Sequence, residues 1–551
     1  MASDWHRNGL SVLAWSPLYA AFYGAFLHLT DNAFFVTTAH RMAIVLLLAM
    51  MVLLLMRRLL PAALAWVLTA WWVVMPINFD SLYEVHLFAV IPILAALWLG
   101  STNSQWGLGA ALGVLLTSAL LIRNEMMIPF AVLAAAATSS EVHQGASRVA
   151  ALRGRFRVAP FLVFPLVAVV LFLFFDSRTR DVRSLADALD QKQRLNTCQV
   201  FAFGYQQRHS DFAASPWTGC QQLMMRTYGE PEPTLIGAVR KNPKAVMEHF
   251  GWNVSLIPNG LQVLLLNAMS GTVSPDYVPV VARDRLSLWL SIALIVLVLC
   301  GTFLLIRDWA YWRETLLDRQ RWFWVTAAGL AIVSVVVMIT QRPRPSYLLG
   351  FGIVVRVVVG IMLVIVAARF PVLQRLGRAY PAAAILLIVL MPSYYLSGNS
   401  PRPLATAYRR LKPFAGLFQT PGVKFVSLGS GQELCSYLSY KEAHCRATDY
   451  SEILSDVGSG ASLADALARR DANILYADGA VLRDGFARKF AEDPEPFGWV
   501  SLAHEKAGAQ SWSLLAKGTF AGRWLSSEQN RSSDQFRRAE TALTDSRPSH
   551  R

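Results

Sequence analysis

Three short stretches of this 551-residue chain carry side chains that could do chemistry, and each interrupts strongly apolar sequence. In NFDSLYEVHLF, Asp80 and Glu84 stand four residues apart with His86 just beyond, so on a helix the two carboxylates share a face. Two carboxylates facing one cleft can hold a divalent cation or act as a general base. The same pair also reads as a helix start, with Asp80 as N-cap and Glu84 in a first turn where the helix dipole favours negative charge. In LLIRNEMMIPF, Arg123 and Glu125 are either a polar pair with a task or a plain turn between two helices. In TQRPRPSYLLG, Arg342, Arg344 and Tyr347 cluster, and guanidinium forks suit phosphate oxygens. Arg356 follows Tyr347 by nine residues, roughly 13 Å along a helix at 1.5 Å per residue. So placed it calls for a carboxylate partner or a wet cavity, and a structural ion pair fits it as well as a ligand contact.

The elements that must position these residues are apolar helices. With 54% hydrophobic and 16% charged side chains, the chain is too apolar for an ordinary soluble fold. Runs such as MAIVLLLAMMVLLL, VAPFLVFPLVAVVLFLFF and SLWLSIALIVLVLCGTFLLI approach or match the hydrocarbon thickness of a bilayer. Ten spans are predicted: 41 to 56, 61 to 77, 84 to 100, 106 to 122, 126 to 139, 159 to 175, 286 to 306, 321 to 340, 347 to 368 and 379 to 396. Connections rich in arginine (57–58, 148–157, 307–321 and 369–378) then fall on one side, which the positive-inside rule makes the cytoplasm. The formal charge of +15 therefore reads as topology rather than as nucleic-acid binding. No cleavable signal peptide is visible. Asp80, Arg123, Arg342 and Arg344 all lie on the opposite, outer side, and arginines there run against the positive-inside bias, so a specific anionic partner explains Arg342 and Arg344 better than topology does.

The expected fold class is mainly α, a polytopic transmembrane bundle of about ten helices with a large outer loop and a small C-terminal α/β domain. The divisions are an outer interfacial helix segment (1–40), N-terminal transmembrane helices (41–176), a large extracytoplasmic loop (177–285), C-terminal transmembrane helices (286–396), an extracytoplasmic α/β domain (397–520) and a disordered tail (521–551). Four of the five cysteines fall in outer segments, Cys198 and Cys220 in the loop, Cys435 and Cys445 in the tail domain. Two local disulfides fit an oxidising compartment such as a bacterial periplasm, and four free thiols are the other reading. Gly429 and Gly431 between a strand and a helix could cradle a phosphate, or simply make a tight turn. There is no Walker phosphate loop, HExxH, paired CxxC or DxD, which argues against an ATP-driven pump.

The order of these features resembles the GT-C membrane glycosyltransferases, a class that includes protein mannosyltransferases, the aminoarabinose transferases of lipid A and the rhizobial lipopolysaccharide-core transferases. The resemblance covers residues 1 to about 400. It rests on SPLYAAFYGAFLHLTDN followed by HRMAIVLLL, on the carboxylate-bearing connection at Asp80, on GVLLTSALLIRNE closing a small-residue helix, and on the large outer loop after Phe175. It implies an inverting transfer of sugar from a polyprenyl-phosphate donor to a glycan, lipid or protein acceptor at the outer face of a bacterial inner membrane. By the same resemblance, Asp80 and Glu84 support the base or a divalent cation, while Arg342, Arg344 and Tyr347, assisted by Arg123, contact the lipid phosphate. The family begins with a helix running outward before the PLY motif, which this chain lacks, and its base precedes PLY by more than a dozen residues. Asp4, thirteen residues before Pro17, is the candidate at that distance. The competing expectation is a non-enzymatic transporter or polysaccharide-export component whose outer arginines bind anionic lipid or glycan, and a third is an inactive relative.

Overall fold

The computed structural model describes residues 16–30, 32–75, 84–144, 150–178, 184–212, 214, 216–266, 285–370, 377–386, 403–428, 431–439, 445–458, 462–505 and 511–526. The chain divides into two compact units, residues 1–26 with 39–399, and residues 27–38 with 400–551. It is mainly helical, with one small sheet.

The helices of the first stretch are α1 (Pro17–Leu27), α2 (Ala33–Leu59), α3 (Ala62–Val73), α4 (Glu84–Phe88), α5 (Val90–Ser101), α6 (Gln105–Leu121), α7 (Met127–Gln144) and α8 (Ala150–Asp176). The region expected to form the large loop holds α9 (Leu185–Gln206), α10 (Pro216–Tyr228), α11 (Leu235–Lys241), α12 (Pro243–Ser255) and α13 (Ile257–Leu266). Then come α14 (Arg285–Arg307), α15 (Trp309–Trp312), α16 (Arg321–Gln341) and α17 (Pro345–Arg369). Among the described residues, five segments are long and apolar enough to cross a membrane: Phe35–Leu59, Ala159–Asp176, Ser287–Arg307, Arg321–Gln341 and Pro345–Arg369. That is fewer than the ten spans expected. The segments at 61–77, 84–100 and 106–122 form apolar helices of 17 residues or fewer, short of the roughly 20 that a bilayer core demands. The expected span at 126–139 falls on Met126 and α7, and the one at 379–396 falls largely outside the described residues.

The bundle packs as apolar sequence in lipid must, by close shape fit rather than by hydrophobic segregation. Helices α6 and α8 run against each other because Gly109 and Gly113 leave room, where a Cβ would stand 2.5 Å from the Pro160 carbonyl oxygen and 2.6 Å from the Phe164 Cβ. Around α16 and α17 the core is built from Phe323, Leu330, Leu348, Ile353 and Val357, packed on Leu55, Leu64 and Leu94 from the earlier helices.

The second unit carries α18 (Pro403–Leu411) and α19 (Ala415–Phe418), then β1 (Lys424–Ser427), α20 (Gly431–Leu438), β2 (Arg446–Asp449), α21 (Tyr450–Gly458), α22 (Leu463–Arg469), β3 (Ile474–Ala477), α23 (Gly485–Glu492), β4 (Trp499–Glu505) and β5 (Trp512–Lys517). The strand order is β2-β1-β3-β5-β4, parallel across β2, β1 and β3 and antiparallel across β3, β5 and β4. Successive strand residues face opposite sides, so Phe425, Ile474 and Leu514 enter one core while Val426, Leu475 and Leu515 enter the other. Helices thus cover both faces of the sheet, the α/β arrangement read from the sequence. Residues 518–526, which overlap the expected disordered tail, are helical, and the rest of that tail is outside the described residues.

Candidate functional site

A cavity of about 420 Å³ opens where the ends of α4, α6, α16 and α17 meet α9, α10, α11 and α12 of the 177–285 region. The polar side chains that line it include His86, Arg123, Glu125, Lys192, His249 and Tyr347. Their positions follow from helix ends. Arg123 ends the run after α6 in an extended conformation, and Asn124–Met126 makes a single 3-10 turn before α7, so RNE projects its polar groups at a break between helices. Pro345 opens α17, where the missing N–H of proline costs nothing, and Tyr347 stands in that first turn.

Tyr347 is the hub. The Arg123 guanidinium lies 4.7 Å and that of Arg344 4.9 Å from its ring centroid, and the His86 ring meets it edge-on at 5.1 Å. Arg344 also donates to the Tyr347 hydroxyl at 3.5 Å, and Arg123 pairs with Glu125. Three residues singled out in separate sequence stretches or positions (Arg123, Arg344 and Tyr347) therefore come together. Arg344 and Arg342 are both 5% exposed and stand behind the lining rather than in it. Arg342 ends α16 at φ +66°, a conformation costly for a side-chain-bearing residue, and its guanidinium lies 5.3 Å from the Phe203 ring centroid. Its reach is toward α9, which ties the RPRP turn to that helix. Glu84 opens α4 two residues before His86, but its side chain, like all of Asp80 and Asp4, lies outside the described residues. Among the described residues no group of three or more His, Cys, Asp or Glu side chains is gathered for a metal ion.

Apart from its two cysteines, sequence reading did not single out the groups contributed by the 177–285 region. Lys192 projects from α9 into the cavity, where burial lowers its pKa to about 8; Glu125 acts to raise it and Arg123 to lower it. Asn196, also on α9, donates to the Gln341 side chain at 3.3 Å, giving the wall paired amides of the sort that bind hydroxyls. Cys198 and Cys220 are joined, with Cα atoms 5.5 Å apart, and so fasten α9 to α10 beside the cavity. In the second unit Cys435 and Cys445 are joined likewise. The cavity lining carries two cations, Arg123 and Lys192, against one carboxylate, with Arg344 adding charge from behind. Such a lining attracts an anion.

The Lys192 ammonium is largely charged at pH 7 and largely neutral at pH 9. Affinity for a phosphate-bearing ligand should therefore fall about tenfold over that interval, the worth of one charge-assisted hydrogen bond. Lys192→Arg, charged throughout, should flatten the profile, and an unchanged slope in that variant would remove Lys192 from the binding set.

His249 on α12 docks the loop onto the bundle. Its Nε2 faces the Thr340 carbonyl at 3.2 Å, and Asn253 donates to the Ile339 carbonyl at 2.8 Å, so both side chains serve last-turn carbonyls of α16 that have no partner within the helix. Burial, with Arg208 and Arg342 adding to it against the Thr340 bond, holds the His249 pKa down to about 4 from 6.5. Between those values the unfolded chain binds more protons than the folded one, so this contribution is complete above pH 6.5 and is lost as pH falls toward 4. The loss should reach about 3 kcal/mol, read as a falling melting temperature of the detergent-solubilised protein, and His249→Gln should remove that part of the pH dependence.

Compared with protein-family models and with curated proteins, the chain matches none of them.

Proposed function

We propose that the outer cavity is the donor site of a membrane glycosyltransferase that moves a sugar from a polyprenyl-phosphate carrier to an envelope glycan, lipid or protein acceptor on the extracytoplasmic side. One observation carries the reading: a cavity of about 420 Å³ with Arg123 and Lys192 in its wall opens beside the ends of two membrane-length helices, α16 and α17. A lipid-linked sugar phosphate needs that combination, with apolar helix surface for the chain, cations at the water boundary for the phosphate and amides for the hydroxyls. Cavities that hold small ligands run from roughly 300 to 1,000 Å³, which brackets this one.

In the proposed reaction a carboxylate takes the proton of the acceptor hydroxyl as its oxygen attacks the anomeric carbon. The bond from that carbon to the phosphate oxygen breaks on the opposite face, giving inversion and free polyprenyl phosphate. Arg123 and Lys192 neutralise the charge that collects on the departing phosphate, the largest single contribution such sites make. The resemblance offers Asp4 as the candidate base and gives the Asp80 and Glu84 connection the part of supporting the base or a divalent cation. Glu125, ion-paired with Arg123, is suited to holding that guanidinium in place.

Radiolabelled polyprenyl-phosphate sugar supplied to the full-length protein in detergent, with envelope lipids and glycans as acceptors, tests the reading. Transfer that Asp80→Asn abolishes and Arg123→Ala lowers about a hundredfold in folded protein supports it. Absence of turnover beside measurable glycan or lipid flux in vesicles would favour a transporter instead.

A further inference from the structure

A second cavity, of about 410 Å³, lies between the last turns of α14 and α17, lined by Arg307, Asp308, Trp309, Tyr311 and Arg369 among others. Arg369 is 22 residues beyond Tyr347 on the same helix, which puts this cavity roughly 33 Å from the first along α17. Positive-inside topology accounts for arginines at helix ends, but not for two of them, from different helices, converging on one aromatic-lined hollow. Above the hollow, Ile295, Leu299, Phe303 and Ile306 are all exposed and recur at helical spacing along α14. They form an apolar stripe roughly 16 Å long that ends one residue before Arg307, which lines the cavity.

We propose that this cavity seats the headgroup of an anionic phospholipid, with an acyl chain along the α14 stripe and the phosphodiester between Arg307 and Arg369. The occupant follows from the stripe and the charge together: a free phosphate would use the arginines and leave the apolar surface idle. The Asp308 carboxylate, 3.7 Å from Arg307, leaves that guanidinium half exposed and faces the same hollow. It repels a second anionic group and accepts from hydroxyls, so the headgroup favoured carries one negative charge and hydroxyls, as in phosphatidylglycerol. The site is independent of the outer cavity and of the reaction proposed there.

Native mass spectrometry of the full-length protein, stripped of lipid and then titrated with phosphatidylglycerol or phosphatidylcholine, tests this. Retention of one phosphatidylglycerol with about a tenfold preference over phosphatidylcholine is expected, and the double variant Arg307→Gln, Arg369→Gln should lose the preference. Arg319→Gln, outside the cavity, should keep it. Should the double variant fail to fold, Ala310→Trp, which fills the hollow and leaves both arginines, must lose the preference as well. Equal retention of the two lipids by wild-type protein, a preference that survives the substitutions, or displacement of phosphatidylglycerol by equimolar inorganic phosphate would each overturn the proposal.

Discussion

Arg123→Ala is expected to lower sugar transfer about a hundredfold while the protein stays folded. The guanidinium lines the outer cavity, lies 4.7 Å from the Tyr347 ring centroid and is paired with Glu125. A preorganised cation facing charge that develops only in the transition state contributes on the order of 3 kcal/mol, a factor of about a hundred in rate. Truncation does more than delete this contact, because it leaves the Glu125 carboxylate without its guanidinium partner in the proposed phosphate site. The double variant Arg123→Ala, Glu125→Ala should therefore transfer faster than Arg123→Ala alone, a coupling that a double-mutant cycle reads directly. Arg123→Lys keeps the charge but not the fork and should lose about tenfold. Arg344→Ala should also lose about tenfold, since Arg344 acts through Tyr347 rather than from the cavity wall. Steady-state transfer rates decide the matter, and wild-type rates in Arg123→Ala would remove the proposed phosphate contact.

Arg356→Ala is expected to cost about 3 kcal/mol of stability. Arg356 is 1% exposed in the middle of α17. One guanidinium nitrogen donates to the Gly352 carbonyl at 2.9 Å and another to the Leu264 carbonyl at 3.3 Å, and its carbon lies 4.7 Å from the Trp71 ring centroid. Trp71 in turn donates to the Leu265 carbonyl at 2.9 Å. The two side chains thus serve the final carbonyls of α13, which a helix cannot satisfy for itself and which a buried position denies to water. Alanine would leave a buried acceptor unmet, at about 1 to 3 kcal/mol, and open a cavity besides. The midpoint of chemical unfolding in detergent reads this loss, and a shift worth under about 1 kcal/mol would refute the capping role. Because Gly260 of α13 sits directly against Pro343, loosening α13 should also disturb the RPRP turn and slow the proposed transfer.

Arg123, Arg344 and Tyr347 were legible in the sequence because charge and aromatic hydroxyl next to apolar runs are costly unless used. Lys192 and His249 were not, since in a mixed-polarity loop such residues are ordinary, and only the docking of α9 and α12 on the bundle gives them a role. The partner of Arg356 was hidden for the same reason. Sequence pattern points to a carboxylate or water, and among the described residues the structure adds helix-end carbonyls from a segment 92 residues away. Four of the five strands announce themselves as apolar runs. The fifth, β2, reads RATD and lies at the sheet edge, where polar residues are favoured and the usual signal is absent. Composition gave the apolar character of every predicted span, but it does not say where a helix breaks. The interruptions around Pro61 and at Ala89 yield shorter helices than the hydropathy implied.

The most direct test of the proposed donor site is photocrosslinking of the full-length protein with a polyprenyl-phosphate sugar bearing a photoreactive group beside the phosphate, followed by peptide mapping. Label on the segments around Lys192–Phe201 and Thr340–Tyr347, displaced by excess unlabelled donor and weakened in Arg123→Ala, is the expected result. Label confined to the hollow around Arg307 and Arg369, or label that excess donor does not displace, would contradict it.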